Sequence, residues 1–304
     1  MTKLICLMPT YNKEETLAKS IESVIMQKTD FDYKLIILDD CSSDNSNKIA
    51  NEYKEKYQDK VDIVRNETNL KLLRSIIKGY SLLKGAEYFC VLDADDWYTY
   101  DKKFADAVSF LDKNKDFSMY MTNILLKNTK EELPYYGGKK QVLDFDFKAR
   151  KKNKALFMQT SGVIYRNIYF KNGYNKDFEN ILNLKFPESY RADGFRFEWY
   201  LQKGKAHFVN HIESVYNYYE NGLWSHLNEN EQKLFNAKSM YAFAEFIKEE
   251  EKYYLNLARK MFIKAYKELS EKDLEKNKMI IEELYSVLYK HFGFYDKLLL
   301  KFCK

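Results

Sequence analysis

The segment Leu92-Asp93-Ala94-Asp95-Asp96-Trp97 gathers three carboxylates within four residues at the end of an apolar run, Tyr88 to Leu92. The run is short and rich in aromatic and β-branched residues, which predicts a buried strand, so Asp93, Asp95 and Asp96 emerge together at its carboxyl end. Carboxylates this close repel one another unless a cation or solvent compensates them. Hard oxygen donors of this kind suit Mg²⁺ or Mn²⁺, and the chemistry first suggested is a metal that holds a diphosphate. Two other Asp-x-Asp pairs lack that setting: Asp30/Asp32 sits in a polar turn, and Asp144/Asp146 alternates with Phe145 and Phe147. Context selects the middle pair.

The elements that must position this cluster are legible upstream. Leu4 to Met8 reads as a strand stopped at Pro9, and Thr10-Tyr11-Asn12 turns the chain into a helix over Lys13 to Met26, with Glu14 and Glu15 in its first turn. A second strand, Leu35 to Leu38, ends in Asp39-Asp40-Cys41-Ser42-Ser43-Asp44, whose side chains can cap a helix over Asn45 to Tyr57. A third strand at Val61 to Val64 and a helix from Leu72 to Leu83 lead to the aspartate-bearing strand. This alternation predicts right-handed βαβ units and a parallel sheet covered on both faces, with ligands outside the carboxyl ends of its strands. Thr10 to Asn12, Asp39-Asp40, Asn69 and Asp93 to Asp96 all fall on that rim.

Beyond the cluster, the pattern predicts a helix over Asp101 to Leu111, a strand over Phe117 to Leu125 and an irregular basic, aromatic stretch over Thr129 to Lys154. Strand character returns over Met158 to Tyr165, where Gly162 is expected to allow close backbone approach by a ligand. A helix over Arg191 to Gln202 presents Asp193 near its start, and a strand region follows over Ala206 to Tyr219. From Asn228 the chain turns Lys/Glu-rich with helical spacing of apolar residues. The expected division is a catalytic domain over 1–227, with donor binding over 1–115 and acceptor binding over 116–227, and a helical extension over 228–304.

A chain of 304 residues with 26 Tyr and 21 Phe can bury a substantial aromatic core or cleft. The net charge of +5 suits anionic ligands or lipid headgroups, and no nucleic-acid partner is expected. Cys6, Cys41, Cys90 and Cys303 have no C-x-x-C spacing and read as core thiols of a reducing compartment. No apolar stretch approaches the roughly 20 residues of a membrane span. The expected location is cytoplasmic, with peripheral attachment to the inner face of the membrane as the exception.

Taken together, Pro9-Thr10-Tyr11-Asn12, the run from Leu38 to Ser46, Asn69-x-x-Leu72-Leu73-Arg74 and the Leu92 to Trp97 segment resemble the bacterial family 2 nucleotide-sugar glycosyltransferases. Order and spacing carry the resemblance, which covers the first 225 residues. It implies a GT-A fold, an α/β architecture whose Rossmann-like, mostly parallel central sheet has flanking helices, here with a C-terminal helical extension. It also implies a Mn²⁺- or Mg²⁺-dependent inverting transfer from a nucleoside-diphosphate sugar, a UDP-sugar by preference, to a glycan or lipid-linked glycan acceptor of a capsule or lipooligosaccharide. Two other classes compete: a nucleotide-sugar binding module without turnover, and a sugar nucleotidyltransferase, which should carry a Gly-rich basic triphosphate loop where this chain has Pro9 to Glu15.

The resemblance implies further that Thr10 and Tyr11 line the nucleotide pocket and that Asp40 meets the base, with a helix-capping turn as its alternative. Asp93 faces the ribose or diphosphate, Asp95 ligates the metal, and Asp96 supports it from behind. Lys71 stands where relatives often have Gly; it and Arg74 can reach the diphosphate, or Lys71 is a solvated loop lysine. Asp193 is the implied catalytic base, with Glu188 as competitor and a helix-terminal cap as the plain alternative. The segment from Tyr218 to His226 resembles a loop over the diphosphate that includes Trp224 and Ser225, with His226 on the metal, on a phosphate or simply exposed. The C-terminal helices offer three readings: contact with an anionic membrane, packing, or a homodimer.

Overall fold

The computed structural model of the chain describes residues 2–173, 176–187, 192–218, 227–293 and 296–297. Its first half alternates β1 (Leu4–Thr10), α1 (Leu17–Ile25), β2 (Tyr33–Asp39), α2 (Ser46–Lys56), β3 (Val61–Arg65), α3 (Lys71–Tyr80) and β4 (Tyr88–Val91). All four residues of β4 are buried, as the unbroken apolar run requires of a strand covered on both faces. There follow β5 (Trp97–Tyr98), α4 (Lys103–Lys113), β6 (Phe117–Lys127), β7 (Glu132–Pro134), β8 (Val142–Phe145), α5 (Phe147–Lys151) and β9 (Val163–Arg166). Next come α6 (Ala192–Leu201), β10 (Lys205–Asn217), α7 (Glu229–Phe246), α8 (Glu251–Glu268), α9 (Glu271–Lys276) and α10 (Lys278–Leu288).

One sheet runs β3-β2-β1-β4-β9-β6-β10-β5, with β7 on β6 and β8 on β10. The pairings β3-β2, β2-β1, β1-β4 and β6-β10 are parallel and the other five are antiparallel, so the sheet is mixed where a mostly parallel one was expected. The departure is β9, which pairs antiparallel with both β4 and β6 and separates them. Short strands also occupy the stretch read as irregular, Thr129 to Lys154. Glu132–Pro134 is exposed throughout and Val142–Phe145 mostly so, which left no apolar alternation to detect.

Two corrections concern local structure. The first helix begins at Leu17, and Glu14 is not in its first turn. Instead the Glu14 carboxylate accepts from the Asn45 backbone N–H at 2.9 Å and its Nδ2 at 2.7 Å, and so serves the start of α2. Gly162 is not a point of ligand approach. A Cβ there would lie 2.5 Å from Met158 Cγ and 2.9 Å from the Thr122 carbonyl oxygen, so the missing side chain lets a short turn pack on β6.

Core packing explains why α6 is held firmly. Every residue from Phe195 to Leu201 is buried. On one face of the sheet, Phe89 stacks on Tyr165 at 5.1 Å and meets Tyr200 edge-on at 5.8 Å, while Tyr80 stacks on Phe170 at 4.7 Å. On the other, Leu4, Cys6 and Met8 join α1 and α4 residues such as Ile21, Val24, Phe104 and Leu111.

Clustering of contacts divides the chain into two units, Met1–Lys176 with Ala192–Tyr218, and Asp177–Arg191 with Tyr219–Lys304. In the second, α7 starts with a capping box between Asn228 and Glu231, and Leu234, Phe243, Tyr254, Phe262 and Leu288 are buried. No described helix is long and apolar enough to cross a membrane.

Gly204, in the turn from α6 to β10, tests how tightly this scaffold is closed. A Cβ there would meet Ser118 N at 2.8 Å and Asp116 O at 3.0 Å, backbone atoms that cannot rotate away. Gly204→Ala is expected to cost about 1–3 kcal/mol, read as a lower urea midpoint.

Candidate active site

The Asp-Ala-Asp-Asp turn is built by groups from three directions. Its own first bond is Asp96 N–H to the Asp93 carbonyl, 2.9 Å. The Ala94 carbonyl between the two key aspartates accepts from Thr16 Oγ1 at 2.8 Å and Ser20 Oγ at 2.9 Å, so α1 fixes the turn from below. Asp96 is 1% exposed, and its Oδ1 accepts from Asn217 N–H at 3.0 Å at the end of β10. Its Oδ2 is buried without a hydrogen bond.

The charge of the cluster is met by Lys13, which sequence reading passed over. Its Nζ lies 2.5 Å from Asp95 Oδ2. Asn12 sits in the left-handed region at φ 51° and Lys13 N–H bonds Ser46 Oγ at 2.8 Å, which aims the lysine toward β4. The available signal was topological: β1 lies next to β4, so a cation just beyond β1 faces the aspartates. Arg196 is the second cation. It is 2% exposed, donates from Nη1 to Tyr80 Oη at 2.8 Å and lies over the Tyr165 ring at 5.9 Å. A lone arginine in an aromatic helix three residues after Asp193 was the signal for it.

Asp93 is half-buried, and burial followed by the Asp95 charge pushes its carboxyl up to about 7, against the pull of Arg196 and Lys13. Asp193, in the first turn of α6, pushes in the same direction. Burial and then the charges of Asp93 and Asp95 hold Asp96 well above the usual carboxylate range. Asp93, Asp95, Asp96 and Asp193 therefore belong to one electrostatic site with Lys13 and Arg196.

The rim continues to the ends of β1 and β2. Thr10 is buried and its carbonyl accepts Asp40 N–H at 2.8 Å, whereas Tyr11 is 46% exposed. Asp40 Oδ1 accepts from Asn66 Nδ2 and from Leu70 N–H, each at 2.8 Å, which docks the loop before α3. Asp39 is structural: it takes Ser42 N–H at 3.0 Å and pairs with Arg65 at 2.9 Å. Lys71 has φ 66°, which explains why glycine suits this place. Arg74 is exposed on the same helix. Glu198 is tied to Arg150 at 2.7 Å and is no base. His207 and His211 go to different carboxylates, Asp144 and Glu213. Glu188, Trp224, Ser225 and His226 lie outside the described residues.

Among the described residues, no group of three or more His, Cys, Asp or Glu converges on a point that could hold a metal. The donors present still fit Mn²⁺ or Mg²⁺ of the phosphate-carrying kind, which takes one or two carboxylates and completes its shell with water and substrate oxygens. Asp95 would be the protein ligand, and Asp96, buried with its Oδ2 lacking a hydrogen bond, stands behind it.

Residues 5–179 match the model of glycosyl transferase family 2. The chain belongs to that family. Its fold is GT-A: it superposes on residues 1–349 of S. aureus TarS in complex with UDP with a TM-score of 0.62 at 15% identity, covering 93% of this chain and 80% of that TarS fragment. GalNAc-T7 with UDP, GalNAc and Mn²⁺ gives a TM-score of 0.53 at 16% identity, covering 84% of this chain and 54% of that one. The putative glycosyltransferase EpsE of Bacillus subtilis is 33% identical over 124 residues, 41% of this chain and 44% of EpsE. This family 2 chain thus spans less than half of that relative's length.

The aspartate cluster gives a pH test. A carboxyl raised in the folded state means the folded chain binds more protons than the unfolded one, so its contribution to stability falls as pH rises from 3.8 to about 7. In chelator, the stability of Asp93→Asn relative to wild type is expected to increase across that range, measured by thermal unfolding at fixed ionic strength. A difference that is flat with pH would contradict the assignment.

Proposed function

We propose that this chain is a metal-dependent inverting glycosyltransferase that carries a sugar from a nucleoside diphosphate, with UDP-sugar as donor, to a hydroxyl of a growing bacterial surface glycan such as capsule or lipooligosaccharide. The observation that carries the reading is charge placement. Asp95 is held by a cation at the rim of β4, while Asp193 approaches the same cluster from a separate element, α6. The UDP, GalNAc and Mn²⁺ of the GalNAc-T7 structure and the UDP of the TarS structure, on related folds, support the choice of ligand class.

In this reading the uracil N3–H is received by Asp40. Its Oδ1 is taken by Asn66 and Leu70, which orients the carboxylate and leaves Oδ2 as acceptor. Thr10 and Tyr11 border the base, and Lys71 and Arg74 approach the diphosphate from α3. Asp93 faces the ribose and diphosphate. Asp95 ligates Mn²⁺ or Mg²⁺, with Asp96 behind it and His226 as a further ligand. The bound ion supplies neutralisation of the departing nucleoside diphosphate.

Asp193 takes the proton from the acceptor hydroxyl as that oxygen attacks the anomeric carbon from the face opposite the leaving group. Arg196, one turn along the same helix, is a positioning residue that keeps positive charge beneath Asp93 and Asp193. Trp224 and Ser225, outside the described residues, are assigned to the diphosphate in this reading. Exposed Met279, Tyr285 and Tyr289 offer the C-terminal unit a surface for anionic lipid, and sedimentation with anionic vesicles separates this from a homodimer through the same face.

The test pairs turnover with binding. Asp193→Asn is expected to lower transfer by about 10²- to 10⁴-fold, while the thermal shift with UDP and Mn²⁺ is preserved and GDP gives a smaller one. Near-normal turnover by folded Asp193→Asn would remove the base assignment, and equal shifts with GDP would remove the role given to Asp40.

A further inference from the structure

The positive charge nearest the metal-binding carboxylate comes from the protein itself. Lys13 Nζ is 2.5 Å from Asp95 Oδ2, a contact that occupies one oxygen of the carboxylate assigned to the metal. The pair is not sealed, because the two side chains keep 35% and 19% exposure, so solvent and ligand can reach it. The lysine backbone, by contrast, is fixed. Its N–H is bonded to Ser46 Oγ at 2.8 Å, and the preceding Asn12 is clamped by its N–H to Ser42 Oγ at 3.0 Å and by its Oδ1, which accepts Ser43 N–H at 2.9 Å. Only the four-carbon side chain is left to move, and an ammonium on such a stem can trade one anion for another a few ångströms away.

We infer that Lys13 is a built-in counter-ion that competes with the divalent metal for Asp95 and moves to the donor diphosphate when nucleotide and metal enter together. The inference rests on the metal-dependent reading above. Without nucleotide, a dication approaching Asp95 must displace an ammonium from its ion pair, and the two cations repel. With nucleotide, the diphosphate oxygens receive the ammonium and Asp95 is released to the metal. Lys13 thereby couples the two ligands: nucleotide tightens metal and metal tightens nucleotide by the same factor. The acidic cluster is kept from collecting metal ions before a donor arrives.

The experiment reads Mn²⁺ binding directly, from loss of the free-ion electron paramagnetic resonance signal, with and without UDP, for wild type, Lys13→Met and Lys13→Gln. Thermal unfolding checks that each variant is folded. Wild type is expected to bind Mn²⁺ weakly alone and more tightly with UDP. Both variants are expected to bind Mn²⁺ without UDP about tenfold more tightly than wild type, the scale of one charge-assisted hydrogen bond, and to lose that factor from the coupling with UDP. Unchanged nucleotide-free affinity in both folded variants, with wild type still binding Mn²⁺ in the presence of UDP, overturns the role of Lys13 alone. Failure of wild type to bind Mn²⁺ even with UDP overturns the metal-dependent reading and this inference with it.

Discussion

Like charge crowded at the end of one buried strand is the constraint around which this protein is arranged. β4 delivers Asp93, Asp95 and Asp96 to a tight turn, and Asp193 comes up beside them. Such a set is stable only where dipoles and cations are fixed to meet it. The chain supplies them from distant positions: hydroxyls of α1 on the Ala94 carbonyl, Asn217 N–H on Asp96, Lys13 on Asp95, and Arg196 beneath Asp93. The charge that these groups leave over is what a metal and diphosphate would complete.

The scaffold makes this arrangement possible by stitching strand ends together. Asp40 N–H bonds Thr10, Asp40 Oδ1 holds the loop before α3, and Ser42 and Ser46 hold Asn12 and Lys13. Polar side chains beyond β1 and β2 thus position one another before any ligand binds. Such preorganisation reduces the ordering cost at binding. The aromatic packing around α6 keeps Asp193 and Arg196 on one firmly held element.

Much of the fold was legible because it depends on local period. Strands beginning at Leu4, Tyr33, Val61 and Tyr88, with helices between them, followed from apolar runs and turn residues, and so did the rim they share. The antiparallel insertion of β9 between β4 and β6 was not legible, since strand order is decided by pairing between segments far apart in sequence. The same limit hid the ion partners. Lys13 looked like an ordinary first-turn residue and Arg196 like an interruption in an aromatic helix; their roles exist only once β1 is beside β4 and α6 is packed. Glu14 misled in the other direction, since its carboxylate serves the start of α2 rather than its own helix. Asp39 and Asp40 are adjacent in sequence, yet one is consumed by Arg65 and Ser42 while the other bonds Asn66 and Leu70.

The central claim is that Asp95 is the protein's hold on a metal carried with a nucleoside diphosphate. Anomalous diffraction from crystals grown with Mn²⁺ and UDP tests it most directly. The expected result is a manganese peak bonded to the Asp95 carboxylate and to diphosphate oxygens at about 2.1 Å, near the spacing of small hard dications. An ordered UDP diphosphate with no manganese at Asp95, and Lys13 still paired there, would contradict the account.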